Sequence, residues 1–168
     1  MLINTRLAPA RPAAKKGIDG EALGRSRGGF STKIHIRAEG FGKPVTFTLT
    51  GGEVHDSKAL ATLMGTSWIK RLGRGRPRLK PDRLAADKAY SSGVIRSTLR
   101  RRGIQPVIPT RSNERPDPDF DRDAYRERNR VERLINKLKQ FRRIATRYEK
   151  RAANYLAMIT IAAILLWL

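Results

Sequence analysis

The chain has 168 residues, with 36 Lys and Arg against 15 Asp and Glu and a formal net charge of +21. That length favours a single domain, and a hydrophobic fraction of 39% supplies a modest core and excludes disorder throughout. So large a positive excess points to a polyanionic partner, nucleic acid first and an anionic membrane surface second. The absence of cysteine excludes disulfides, thiolate zinc sites and Cys nucleophiles together.

In chain order, residues 1–30 read as a flexible basic arm, because Pro9, Pro12 and the Gly- and Arg-rich run 24–29 leave little to bury. The segment lacks an apolar stretch of the kind a secretory signal needs. Residues 31–38 (STKIHIRA) alternate, with Ile34 and Ile36 on one face and Lys33, His35 and Arg37 on the other. They predict a half-buried strand. After a turn at 41–44, residues 45–50 (VTFTLT) alternate again and complete an antiparallel hairpin. Asp56 is the expected N-cap of a helix through Leu60, Leu63 and Met64.

Residues 70–83 read as a strongly cationic loop. The apolar run 84–86 is a short strand ending at Asp87, and Ser91 and Ser92 cap a helix that Gly103 stops. Residues 105–109 read as a short strand whose prolines place it near an edge or an end. A polar loop precedes a long helix over 121–143. The uncharged run 152–168 is at the short limit for a membrane span and contains Asn154, Tyr155 and Thr160. It reads as a buried helix, with a tail anchor as the rival. The order of elements predicts an α/β or α+β domain with a small mixed sheet.

On the long helix, at about 100° per residue, Val131, Leu134, Ile135 and Leu138 form the core face. Arg126, Arg130, Arg133 and Lys137 form an outward basic stripe. On the remaining flank lie Tyr125, Arg128, Glu132, Asn136 and Lys139. Glu132 has two readings, an i,i+4 ion pair with Arg128 or a site acid. Asp87 also has two, a turn-capping aspartate or a catalytic acid at the carboxyl end of a strand, where ligands gather in open α/β sheets. Two such carboxylates in one place would need a hard divalent cation such as Mg²⁺, and in a basic protein the substrate then suggested is a phosphodiester. The two histidines, His35 and His55, are too few for a His-rich metal site. His35 reads as a strand-face residue and His55 as part of a helix start.

The spacing Tyr125-x2-Arg128-x3-Glu132-x6-Lys139 resembles the C-terminal signature of the DDE transposases of bacterial insertion sequences, in the branch related to insertion-sequence families four and five. The blocks 21–35, 49–57, 84–92, 107–113 and 140–157 are similar in kind and in order, so the resemblance covers about residues 15–168. It implies an α/β, RNase H-like mixed sheet flanked by helices over residues 31–168. It further implies phosphoryl transfer on DNA, with Mg²⁺ or Mn²⁺ held by an acidic triad. Asp87 and Glu132 would be the second and third acids. Tyr125, Arg128 and Lys139 would position DNA phosphates, and Arg25 and Arg27 in the basic arm would add contacts.

The partner implied is double-stranded DNA, at element ends and at the target, with a second copy of the chain as a further candidate. The location expected is cytoplasmic and nucleoid-associated, with no membrane partner. The family's first triad Asp belongs on the first sheet strand, yet residues 1–16 hold no acid. The chain is therefore expected to be N-terminally truncated, with that strand missing or incomplete and the triad incomplete. A non-catalytic DNA-binding remnant, or a regulator of an intact transposase, is the alternative.

Overall fold

The computed structural model describes residues 1–10, 20–65 and 80–168. Most of the cationic loop expected over 70–83 lies outside them. Six strands form one mixed sheet: β1 (Leu2–Pro9), β2 (Gly24–Ser26), β3 (Gly29–Ala38), β4 (Pro44–Gly51), β5 (Arg83–Ala85) and β6 (Gln105–Val107). Strand β3 carries β2 and β4 along one side and pairs antiparallel with β1 along the other, from Leu2 opposite Ala38 to Pro9 opposite Ser31. Beyond β1 the sheet continues in parallel through β5 to β6.

The N-terminal segment corrects the sequence expectation. Residues 2–9 and 24–26 are strands, not a flexible arm, and β1 lies in the middle of the sheet instead of being absent. Leu2, Ile3 and Ala8 are buried, and this burial outweighs the irregular look that Arg6 and Pro9 give the segment. Residues 11–19, which complete the expected arm, lie outside the described residues.

Both faces of the sheet are covered. Even-numbered residues of β1 and β3, with Ala85 and Val107, face helices α4 (Asn129–Lys139), α5 (Arg142–Ala145) and α6 (Ala152–Trp167). Ile3, Leu84, Ala86 and Ile108 face the opposite layer, which holds α1 (Ala59–Gly65) and α2 (Gly93–Arg101). Strand β3 is therefore buried on both sides. His35 and Arg37, expected on a solvent face, are 0% and 1% exposed. The Arg37 guanidinium donates to the Leu63 carbonyl of α1 at 3.1 Å.

Local chemistry sets the element ends. His55, not Asp56, caps the first turn after the hairpin, its ring nitrogen accepting from the Ser57 amide, while Asp56 pairs with Lys33 at 2.8 Å. Ser92 caps α2 by accepting from the Ile95 amide. Gly103 follows that helix at φ +66°, a left-handed conformation that costs glycine little. The helix expected over 121–143 is three pieces. Helix α3 (Arg122–Arg126) passes into α4 through 3₁₀-type bonds, Arg128 N–H to Tyr125 O and Arg130 N–H to Glu127 O, and Phe141 is extended at φ −80°, ψ 106°.

Helix α6 buries Tyr155, Ile159, Ala162 and Ala163, and the Tyr155 hydroxyl donates to the Ile144 carbonyl at 2.6 Å. No helix among the described residues is long and apolar enough to cross a membrane. Arg147, 1% exposed, ties the segment before α6 to the sheet, donating to the carbonyls of Glu21, Glu149 and Lys150 at 2.8–2.9 Å and to Thr32 Oγ1 at 2.7 Å.

Candidate functional site

Strand β5 delivers Asp87 two residues past Ala85. Its backbone is still extended at φ −71°, ψ 165°, and its Oδ1 accepts from the Lys88 amide at the start of the 3₁₀ turn Lys88–Tyr90. Asp87 thus sits at the carboxyl end of a parallel strand and caps a turn at the same time. It is half-buried and, among the described residues, makes no ion pair. A carboxylate at such a place keeps lone pairs free for a ligand.

The second acid comes from α4. Val131, Leu134, Ile135 and Leu138 seat this helix on the sheet, which leaves Glu132 on the flank beside the buried face. Arg128 Nη2 donates to Glu132 Oε1 at 2.5 Å, and the Arg128 guanidinium lies 5.3 Å from the Tyr125 ring centre. Tyr125 in turn packs on Phe120, with ring centres 5.5 Å apart. The i,i+4 ion pair is therefore real, and it is held from one side by an aromatic stack. The Glu132 side chain nevertheless keeps 44% of its exposure while Arg128 keeps 14%, so the acid is open to a partner and the base is held in place.

Lys139, on the same flank two turns further along, lines a groove with Arg6 of β1 and the apolar side chains of Ile34, Ile135 and Leu138. Partial burial, and then the charge of Arg6, hold the Lys139 ammonium below its ordinary value. Two cations sharing a groove floor form a place for an anion such as a phosphate. Arg25 and Arg27 lie exposed on the β2–β3 hairpin, elements apart from Asp87 and Glu132.

The opposite face of β1 carries a polar group that is closed on itself. Thr5 Oγ1 is 2.9 Å from His35 Nδ1 and 2.7 Å from the Tyr90 hydroxyl, and His35 Nε2 is 2.7 Å from Thr50 Oγ1. Thr50 Oγ1 donates onward to the Gly51 carbonyl at 3.4 Å. One arrangement satisfies the whole chain: Tyr90 donates to Thr5, Thr5 to Nδ1, and a neutral His35 to Thr50 through Nε2. Burial drives His35 down to about 4, against a smaller upward pull from Asp56, so the ring is neutral at pH 7. Burial likewise pushes the Tyr90 hydroxyl up. Because Tyr90 closes the turn that Asp87 opens, this network fixes the strand end carrying the acid.

The structure brings Tyr125, Arg128 and Glu132 into contact and puts Lys139 on their flank. It shows no contact between Asp87 and Glu132, and among the described residues no three His, Cys, Asp or Glu side chains gather as a metal site. Sequence reasoning missed Asn4 and Arg6, since the strand that carries them was read as disordered. Residues 2–9 (LINTRLAP) show no apolar/polar alternation that would mark a strand locally.

The family model for the transposase DDE domain matches residues 5–167. A protein of Brucella ovis described as a transposase for insertion sequence element IS6501 is 31% identical over 142 residues, covering 82% of this chain and 98% of its own length. One of Burkholderia cepacia, described as a transposase for insertion sequence element IS402, is 32% identical over 179 residues, covering 95% of this chain and 82% of its own.

Proposed function

The chain belongs to the DDE transposase family of insertion-sequence proteins, and from that premise we propose that it binds double-stranded DNA with an acid set too small for cleavage. The sheet, with β1 at its centre and helices on both faces, is read as RNase H-like. Asp87 and Glu132 are the remaining site acids. Tyr125, Arg128 and Lys139 position backbone phosphates on the α4 flank, and Arg25 and Arg27 add contacts from the β2–β3 hairpin.

Family membership implies use of a divalent cation. Asp87 and Glu132 are of the right type for Mg²⁺ or Mn²⁺. The donor set as a whole does not fit, since β1 carries no acid and no three ligating side chains gather among the described residues. This shortfall is the observation that carries the reading. Binding needs no ion, because it rests on the excess of Lys and Arg over Asp and Glu and on release of condensed counterions from the duplex.

Fluorescence anisotropy with a labelled duplex tests the reading. If about six phosphates are neutralised, affinity should fall roughly a thousandfold or more as salt rises from low to moderately high concentration. Chelation of divalent ions should leave it unchanged. Failure to bind at low salt, or binding that requires magnesium, would contradict the proposal.

A further inference from the structure

Strands β1 and β5 run parallel with Leu2 opposite Ala85, and the Ala85 amide donates to the Met1 carbonyl at 2.9 Å. Carried two residues on, that register sets Asn4 beside Asp87. The faces agree: Leu2 and Ala85 both pack in the cluster under α4, while their neighbours Ile3, Leu84 and Ala86 pack in the other. Side chains alternate along a strand, so Asn4 and Asp87 share the face on which α4 presents Glu132. Asn4 is only 9% exposed, and its Oδ1 accepts from the Thr5 amide at 2.8 Å.

A half-buried Asp87 with a carboxylate neighbour would be repelled unless a cation lay between them. An amide of nearly the same shape removes that repulsion and the demand for the cation with it. We propose that Asn4 stands at the sheet position where a second carboxylate would face Asp87, and that its neutral amide is what keeps a divalent cation from binding this chain tightly. The inference rests on the reading of Asp87 as a site acid given above. It assigns the deficit to one side chain on a strand that is otherwise in place.

The test is Mn²⁺ binding by the full chain, without DNA, followed by electron paramagnetic resonance of the free ion. The proteins compared are the wild type, Asn4→Asp, Asp87→Asn and the double variant. Asn4→Asp should raise Mn²⁺ affinity by about tenfold or more, since affinity for hard cations follows ligand charge. The double variant should fall back to the wild-type level. Circular dichroism with and without Mn²⁺ reports folding, and any loss of stability in Asn4→Asp should be repaired by millimolar Mn²⁺. Unchanged affinity in a folded Asn4→Asp overturns the proposal. So does a gain that survives Asp87→Asn, tight Asp87-dependent binding by the wild type, or an Asn4→Asp chain that stays unfolded in Mn²⁺. Duplex binding by the same wild-type preparation is read separately and decides the DNA-binding reading alone.

Discussion

The two faces of β1 put polar residues to opposite uses. Thr5 points into a network in which Tyr90, His35 and Thr50 satisfy one another. Asn4 and Arg6 lie in register with the residues of β1 that face α4, where Glu132 and Lys139 keep half-buried charged groups, and Asp87 stands half-buried past the end of β5. Polar groups that close on each other in the interior hold a fold, because any one left unpaired would cost about 1–3 kcal/mol. Charged groups with few partners are available to a ligand. By this criterion His35, although it is a buried histidine beside a site, belongs to the scaffold.

Substitutions on the two faces should therefore separate stability from binding. The largest effect is expected at His35. His35→Ala removes a fully buried ring and takes one hydrogen-bond partner each from Thr5 and Thr50, and should cost about 3 kcal/mol or more in denaturant unfolding while leaving no new binding defect in the folded fraction.

Acid probes the same group without mutation. The folded chain holds His35 at about 4 against an ordinary 6.5, so below pH 6.5 the unfolded chain takes up the proton and the folded one does not. Stability is then fully present above pH 6.5 and declines as pH falls toward 4, by up to about 3 kcal/mol. Unfolding curves across that interval should show the decline in the wild type and a shallower one in His35→Asn.

Tyr90→Phe comes next, at about 1–2 kcal/mol, since it deletes a single buried donor from Thr5. On the other face, Arg6→Ala and Lys139→Ala should change stability little. Each should weaken duplex binding a few-fold and lower the salt slope by about one. Asp87→Asn should be smallest for stability, within about 0.5 kcal/mol, because Asn caps a turn as well as Asp does. A large stability loss at Asp87, or a loss confined to DNA binding at His35, would erase the distinction between the faces.

The placement of the helical residues of the candidate site was legible in the sequence, and that of the strand residues only in part. Glu132, Arg128, Tyr125 and Lys139 fall on one flank at about 100° per residue, and the structure keeps them there even though the expected helix is broken at both ends. Its breaks at Arg128 and Phe141 were not legible, because no proline or glycine marks either position. Asp87 was placed by the apolar run before it. Strand β1 was lost because its burial comes from long-range pairing with β3 and β5, which a local reading of Arg6, Pro9 and the residues after them does not contain. Overlooking β1 turned the absence of an acid into the absence of a strand. Helix α6 was recognised as part of the fold because Asn154, Tyr155 and Thr160 interrupt its apolar run, and Tyr155 is a buried donor there.

On the reading proposed above, this member of the DDE transposase family would hold DNA without cutting it. A nicking and strand-transfer assay tests it most directly, on duplex carrying the flanking element's ends, in Mg²⁺ and in Mn²⁺, with the wild type beside Glu132→Gln. Both proteins should bind the duplex, and neither should produce nicks or joined strands above background. Cleavage by the wild type that disappears in Glu132→Gln would contradict it, and would mean that Asp87 and Glu132 form a working site with Asn4 in place.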